Sequence, residues 1–519
     1  MNKLFYLHPF IFALAIILSI FSHNKGQLLA GNIIVPLLLV LVETAAVFFI
    51  FFLISKNWSK AALLTSLALF FFFFYGQLYS FFDSRVIFGT LVGRARYFFP
   101  LWTFLFLFFA YIILRVQYHL ETATKSMLIA VAVFIAFPLF DIAIFEFKNR
   151  GDDGVSSNEV TAAAPLNMER KMLPDIYYII LDGYARGDTL NTLFGYDNGE
   201  FVNRLRQLGF FVHDESRSNY ARTFLSLSSS LNMRYLDDFT ALEDEDVQFR
   251  TTYRLIRDND VIRFLQDRGY QIIHFRSGWD QTEYSPFADV NISCGTLNEF
   301  LTLLIRMTPL DILDKKFHFT GDDVRARTLC TFSRLAKIAD AGGEQKFIFA
   351  HILQPHAPYV FGPNGEVIEN DSVVSFGDGY DDKNLYVGQL HHLNKLVLNA
   401  VEAMLERSRR PLIVILQSDH GTASLAGPDG EKPEDLTNDF FKERMRNFMA
   451  VYIPPSGPQL DRFETPVNLF RSIFNAYFDS DYPLLEERSL YSPPYSSFTF
   501  FDVTDAIAVD PNDPIENGK

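Results

Sequence analysis

The sequence predicts a two-part molecule. An N-terminal five-helix transmembrane bundle comes first, followed by an α/β domain whose mostly parallel sheet carries helices on both faces. Three observations predict this. Five apolar runs occupy residues 9–22, 33–54, 61–82, 97–116 and 127–147, and most approach the ~20 residues that cross a bilayer. Beyond residue 174, apolar β-branched runs alternate with helical patterns, as in a parallel sheet. Charge also divides the chain. Residues 1–150 hold 11 Lys+Arg and 5 Asp+Glu, a net of +6 in a chain of −15, which leaves −21 on the rest.

The domains expected are 1–147 (transmembrane, five spans), 148–173 (linker) and 174–519 (catalytic). The first apolar run is not a signal peptide, because no small-residue cleavage site follows it and further spans do. The Phe70–Phe74 run has no polar face, which excludes a soluble amphipathic helix. Five spans put the two chain ends on opposite sides of the membrane. With a cytoplasmic N-terminus, Lys3, Lys56, Lys60, Arg115 and Lys125 would lie inside and Lys25, Arg85, Arg94, Arg96, Lys148 and Arg150 outside, so positive charge does not choose the orientation. Glu43 falls mid-span and is read as an interhelical hydrogen bond in preference to a functional group. Arg85, Arg94 and Arg96 either hold a lipid phosphate or snorkel.

Residues 148–173 are polar and without apolar period, and read as a tether. Strands are then expected at 176–181, 270–275, 346–352, 412–416 and 448–453, and helices at 200–208, 224–233, 261–267, 386–407 and 468–478. The acidic balance argues against nucleic acid as a partner. Two cysteines, Cys294 and Cys330, allow at most one bridge.

The chemistry collects at strand ends. The run Leu412–Leu416 stops at Gln417-Ser418 and is followed by Asp419-His420-Gly421; the run ending at Leu181 is followed by Asp182-Gly183. Parallel strands end on one side of a sheet, where ligands bind, so Asp182, Asp419 and His420 can converge as part of a metal site. Thr223 stands where a helix N-cap is expected, with its hydroxyl at the positive end of the helix dipole. Ser226 and Ser228–Ser230 read as packing or back-bonding residues. His351-Ile352-Leu353-Gln354-Pro355-His356-Ala357-Pro358-Tyr359 follows a strand, and His356 is placed to touch substrate or move a proton. His391 and His392 read as helix-surface or packing residues.

These features resemble the sulfatase-like branch of the alkaline phosphatase superfamily. The layout is closest to lipoteichoic acid synthases and lipid A phosphoethanolamine transferases: a five-span bundle, Asp at a first strand end, Thr at a helix start, a PHxPY loop and a late SDHG. The resemblance implies an alkaline phosphatase/sulfatase-like fold with one divalent ion, Zn or Mn, on Asp182, Thr223, Asp419 and His420. It implies Thr223 as nucleophile and His356 as a substrate contact; His351 and Arg222 are taken as further candidate contacts. It also implies a multi-pass protein of the cytoplasmic membrane with its C-terminal domain extracytoplasmic. Those families carry Glu where this chain has Asp182, and neither cysteine lies in the CxPxR pattern that formylglycine sulfatases use.

The activity expected is transfer of a phospho-head group from a phospholipid donor to a glycan or lipid-linked acceptor through a phospho-threonine. The alternatives are a sulfatase-like hydrolase or phosphodiesterase using the same site, and a non-catalytic envelope binding protein.

Overall fold

The computed structural model describes residues 3–83, 86–87, 90–91, 95–149, 173–241, 244–368, 380, 382–425 and 432–508. Two units form: Met1–Val155 with Leu297–Thr320, and Ser156–Thr296 with Gly321–Lys519. Arg85, Arg94 and nearly all of the expected tether lie outside the described residues.

In the first unit, Leu4–His23, Ala30–Ser55, Ala95–Arg115 and Leu120–Lys148 are long and apolar enough to cross a membrane. The third expected span is not one straight helix. Trp58–Phe73 and Tyr75–Phe82 meet at a 42° bend. At that bend the Gly76 amide donates to the Met307 carbonyl (3.0 Å), and a Cβ on Gly76 would stand 2.8 Å from the Arg306 carbonyl oxygen. A bare backbone is therefore what lets the 306–307 segment lie against the break. Glu43 departs from its expected interhelical bond. It lies on the exposed side of its helix, because the inward stripe is Pro36, Val40 and Thr44.

The second unit is built on seven strands: β1 Asp175–Leu181, β2 Phe210–Val212, β3 Gln271–Phe275, β4 Val290–Ile292, β5 Lys346–Ile352, β6 Leu412–Gln417 and β7 Met449–Tyr452. Their order is β2-β7-β6-β1-β5-β3-β4. The run from β6 through β1, β5 and β3 to β4 is parallel; β7 is antiparallel to both of its neighbours. β1, β5 and β6 are buried along their whole length, as continuous apolar runs in a doubly covered sheet must be.

Alternation along β1 divides the interior. Ile176, Tyr178 and Ile180 pack with Leu225, Leu227, Phe264, Phe470 and Phe474 on one face. Tyr177, Ile179 and Leu181 pack with Leu205, Leu335, Leu393 and Val397 on the other. The register pairs Leu181 with Ile352 and Ile180 with Gln417, so β1, β5 and β6 finish at one level and Asp182 and Asp419 leave the sheet side by side. Cys294 and Cys330 form a disulfide, with alpha carbons 5.6 Å apart.

Candidate metal and phosphoryl-transfer site

Asp182, Asp419 and His420 each offer a ligand atom within 4.8 Å of the others, and all three are buried. The Gly183 amide donates to Asp419 Oδ1 (3.0 Å), which ties the end of β1 to the end of β6. Gly183 has φ +65°, and a Cβ there would fall 1.9 Å from the Tyr380 hydroxyl. At Gly421 a Cβ would meet the Glu443 carbonyl oxygen at 2.0 Å. Each acid of the pair is thus accompanied by a glycine that the backbone path requires.

Thr223 opens the Thr223–Asn232 helix, and Arg222, not Thr223, is its N-cap, without a side-chain cap bond. The hydroxyl expected to cap the helix is turned elsewhere: Thr223 Oγ1 lies 3.1 Å from His420 Nε2. The helix is held to the site by Ser226, whose hydroxyl donates to the Asp419 carbonyl (2.7 Å). Ser228 and Ser229 donate to the Phe224 and Arg234 carbonyls, and Ser230 to that of Leu227. Those serines are occupied by structure, and Thr223 is the hydroxyl presented to His420.

His420 has its tautomer set by the chain. Nδ1–H donates to the Gly421 carbonyl (2.8 Å), which leaves the Nε2 lone pair facing Thr223 and Asp419. Burial, then the nearby Arg444 charge, push its pKa below the ordinary value, which favours the neutral, ligand-competent imidazole. Burial alone would raise the Asp182 carboxyl. The neighbouring histidines, His351 first, outweigh it and hold the group below the ordinary carboxylate range.

A divalent ion fits these residues. Asp182 Oδ1 and Asp419 Oδ2 are buried with no hydrogen-bond partner, an expensive state for a carboxylate oxygen that a cation relieves. Two carboxylates, one imidazole and a hydroxyl form an N/O donor set suited to Zn and equally open to Mn.

The two histidines of the HILQPHAPY stretch part company. His351 belongs to β5, and its side chain is wholly buried, with Nε2 3.3 Å from Asp182 Oδ2. That depth corrects its reading as a substrate contact: it braces Asp182 from behind. Its Nδ1 meets Thr282 Oγ1 (2.8 Å), which meets Ser277 Oγ (2.8 Å). His356 is in the loop, half-buried. Its amide donates to the Asp182 carbonyl (3.1 Å), and its Nδ1 is engaged by the Ala357 carbonyl (2.8 Å). Arg222 is half-buried beside Thr223. His391 bonds the Pro363 carbonyl and His392 packs on Phe361, away from the acids.

Sequence reasoning missed four supports. Thr282 and Ser277 orient His351. Glu443 receives the Thr422 hydroxyl and the Ser424 and Leu425 amides, fixing the loop after His420. Tyr380, buried with its ring 5.3 Å from that of His356, carries a hydroxyl without a hydrogen-bond partner. Each lies far in sequence from the group it serves, and no local pattern marks it.

Among solved structures, this chain is similar to phosphoethanolamine transferases and sulfatases. The C-terminal periplasmic domain of EcEptC from Escherichia coli, in complex with Zn, is 12% identical over 66% of this chain and 96% of its own, with a TM-score of 0.43. The integral membrane lipooligosaccharide phosphoethanolamine transferase A from Neisseria meningitidis is 12% identical over 92% of this chain and 95% of its own, at 0.39. The putative sulfatase yidJ from Bacteroides fragilis is 12% identical over 63% and 83%, at 0.37. No family model and no curated protein matches the chain.

Proposed function

We propose that this protein is a membrane-anchored, metal-dependent phosphotransferase. It moves a phospho-head group from a phospholipid to an envelope glycan or lipid-linked acceptor, through a phosphoryl group carried on Thr223. The observation that carries this reading is the Thr223 hydroxyl 3.1 Å from His420 Nε2, beside two buried carboxylates with orphaned oxygens.

Asp182, Asp419 and His420, with Thr223 Oγ1, would hold a Zn or Mn ion. When bound, such an ion supplies positive charge that lowers the pKa of the hydroxyl and offsets charge on the phosphoryl oxygens. Thr223 Oγ1 gives up its proton and attacks phosphorus in line. A P–O bond forms to Thr223, the bond to the diacylglycerol oxygen breaks, and that oxygen leaves with the electron pair and takes up a proton. In the second half an acceptor hydroxyl loses its proton, bonds phosphorus and returns Thr223 to its hydroxyl form. His356, held by the Asp182 and Ala357 carbonyls, is the group proposed to steady the substrate and to take and return these protons. His351 keeps Asp182 oriented.

The span helices keep a lipid donor at high effective concentration. The Cys294–Cys330 bridge supports an extracytoplasmic second unit, since such bonds persist in oxidising compartments.

The test is to incubate the protein with phospholipid labelled in its head-group phosphate and map the label. Label on Thr223 that passes to a glycan acceptor supports the reading. Ester cleavage with no label on the protein means that water attacks directly and the hydrolase alternative holds. Neither labelling nor cleavage, with no metal bound, means a binding protein.

A further inference from the structure

The helix Leu310–Phe317 is built inside out. Its polar side is consumed within the protein. Asp314 is buried and accepts the Thr320 amide (2.9 Å) and hydroxyl (2.5 Å). Asp311 is largely covered and pairs with Lys315 (2.8 Å), and Lys315 Nζ stands 5.7 Å from the Tyr79 ring centroid. Its apolar side faces outward: Leu310, Leu313 and Phe317 are 37%, 46% and 62% exposed. Spacings of three and four residues put them on one edge of the helix, and Lys316 is exposed beside them. A soluble protein folds such a helix the other way round.

The neighbourhood says what covers this edge. Residues Leu297–Thr320 belong to the unit made by the apolar N-terminal helices. The preceding helix, Glu299–Arg306, buries Phe300 and Leu304 among Ile17, Ile20, Ile33 and Phe73. Met307 then receives the Gly76 amide at the bend in the third span. With the bent pair counted as one span, that bend falls in the second half of an odd-numbered crossing, nearer its exit than its entry. It therefore faces the side from which the chain leaves the fifth crossing.

We propose that Leu310–Phe317 lies in the plane of the membrane surface on that side. Leu310, Leu313 and Phe317 enter the boundary between headgroups and acyl chains, and Lys316 meets lipid phosphates. The inference depends on the N-terminal helices crossing a bilayer, and not on the reading of the metal site.

The experiment uses the full chain in nanodiscs of phosphatidylethanolamine and phosphatidylglycerol. F317W, or L313W as a second reporter, adds an indole to the exposed edge, read against the parent protein. Blue-shifted added emission, quenched strongly by lipids brominated near the headgroup and weakly by lipids brominated at the chain end, supports the proposal. Added emission at the aqueous wavelength, or emission that neither lipid quenches because water or a second copy covers the edge, overturns it. So does stronger quenching by chain-end bromine, which would place the helix inside the hydrocarbon core.

Discussion

Thr223 Oγ1 stands 3.1 Å from the one ring nitrogen of His420 that its backbone bond leaves free. A hydroxyl in that position is not needed to cap its helix, since Arg222 is the cap residue. Thr223→Ala is therefore expected to abolish head-group release while costing about 1 kcal/mol of stability or less. Thr223→Ser should keep measurable turnover. Paired turnover and thermal-unfolding measurements check this, and normal turnover by Thr223→Ala would sink the assignment.

His351 touches Asp182 and no solvent. His351→Phe is expected to weaken metal binding roughly 10–100-fold, as loss of an outer-shell partner does, with a folded protein and KM nearly unchanged. Thr282→Val should give a smaller loss in the same direction. Zinc competition titrations separate this from a substrate contact, which would raise KM and leave metal affinity alone.

His213 gives a pH dependence with a definite sign. Burial, partly offset by the Phe463 backbone hydrogen bond and the Asp214 charge, lowers its pKa to about 4, against about 6.5 when unfolded. The unfolded chain takes the proton first, so the stability owed to neutral His213 is whole above about pH 6.5 and is lost as pH falls toward about 4. His213→Phe, which keeps a ring against Phe463, should flatten thermal stability across that window. An unchanged slope would show that other groups set it.

Removing the Cys294–Cys330 bridge with a double Ala substitution should cost about 2–4 kcal/mol, the usual yield for a loop of this size. The bond spans 36 positions, so reduction of the wild type should lower the unfolding temperature by the same amount as the double variant. A Tm indifferent to both would remove the bridge from the account of stability.

The parallel core was legible because fully buried strands have no alternation to hide: β1, β5 and β6 appear in the sequence as plain apolar runs. Convergence of Asp182 with Asp419 followed from strand direction alone. The edge strands Phe210–Val212 and Val290–Ile292 were not legible, since three residues carry too little pattern. The two histidines five residues apart looked alike in sequence. They separate by depth, because one still belongs to a buried strand and the other to the loop beyond it. Glu299–Arg306 and Leu310–Phe317 show helical periodicity, but periodicity marks an apolar face without saying which body covers it.

The segment Leu297–Thr320 also sets an order of assembly. Phe300 and Leu304 complete the interior of a unit whose apolar N-terminal helices end at Asn149, so that unit stays unfinished until the ribosome has passed Thr320, when β5 and β6 of the parallel core have yet to be made. A chain that returns in this way cannot be divided cleanly by one proteolytic cut after residue 149, because the segment Leu297–Thr320, which belongs to the first unit, is continuous with the second. A fragment starting at residue 174 would carry Phe300 and Leu304 with nothing to bury them, and is expected to need detergent although it contains none of the apolar N-terminal helices.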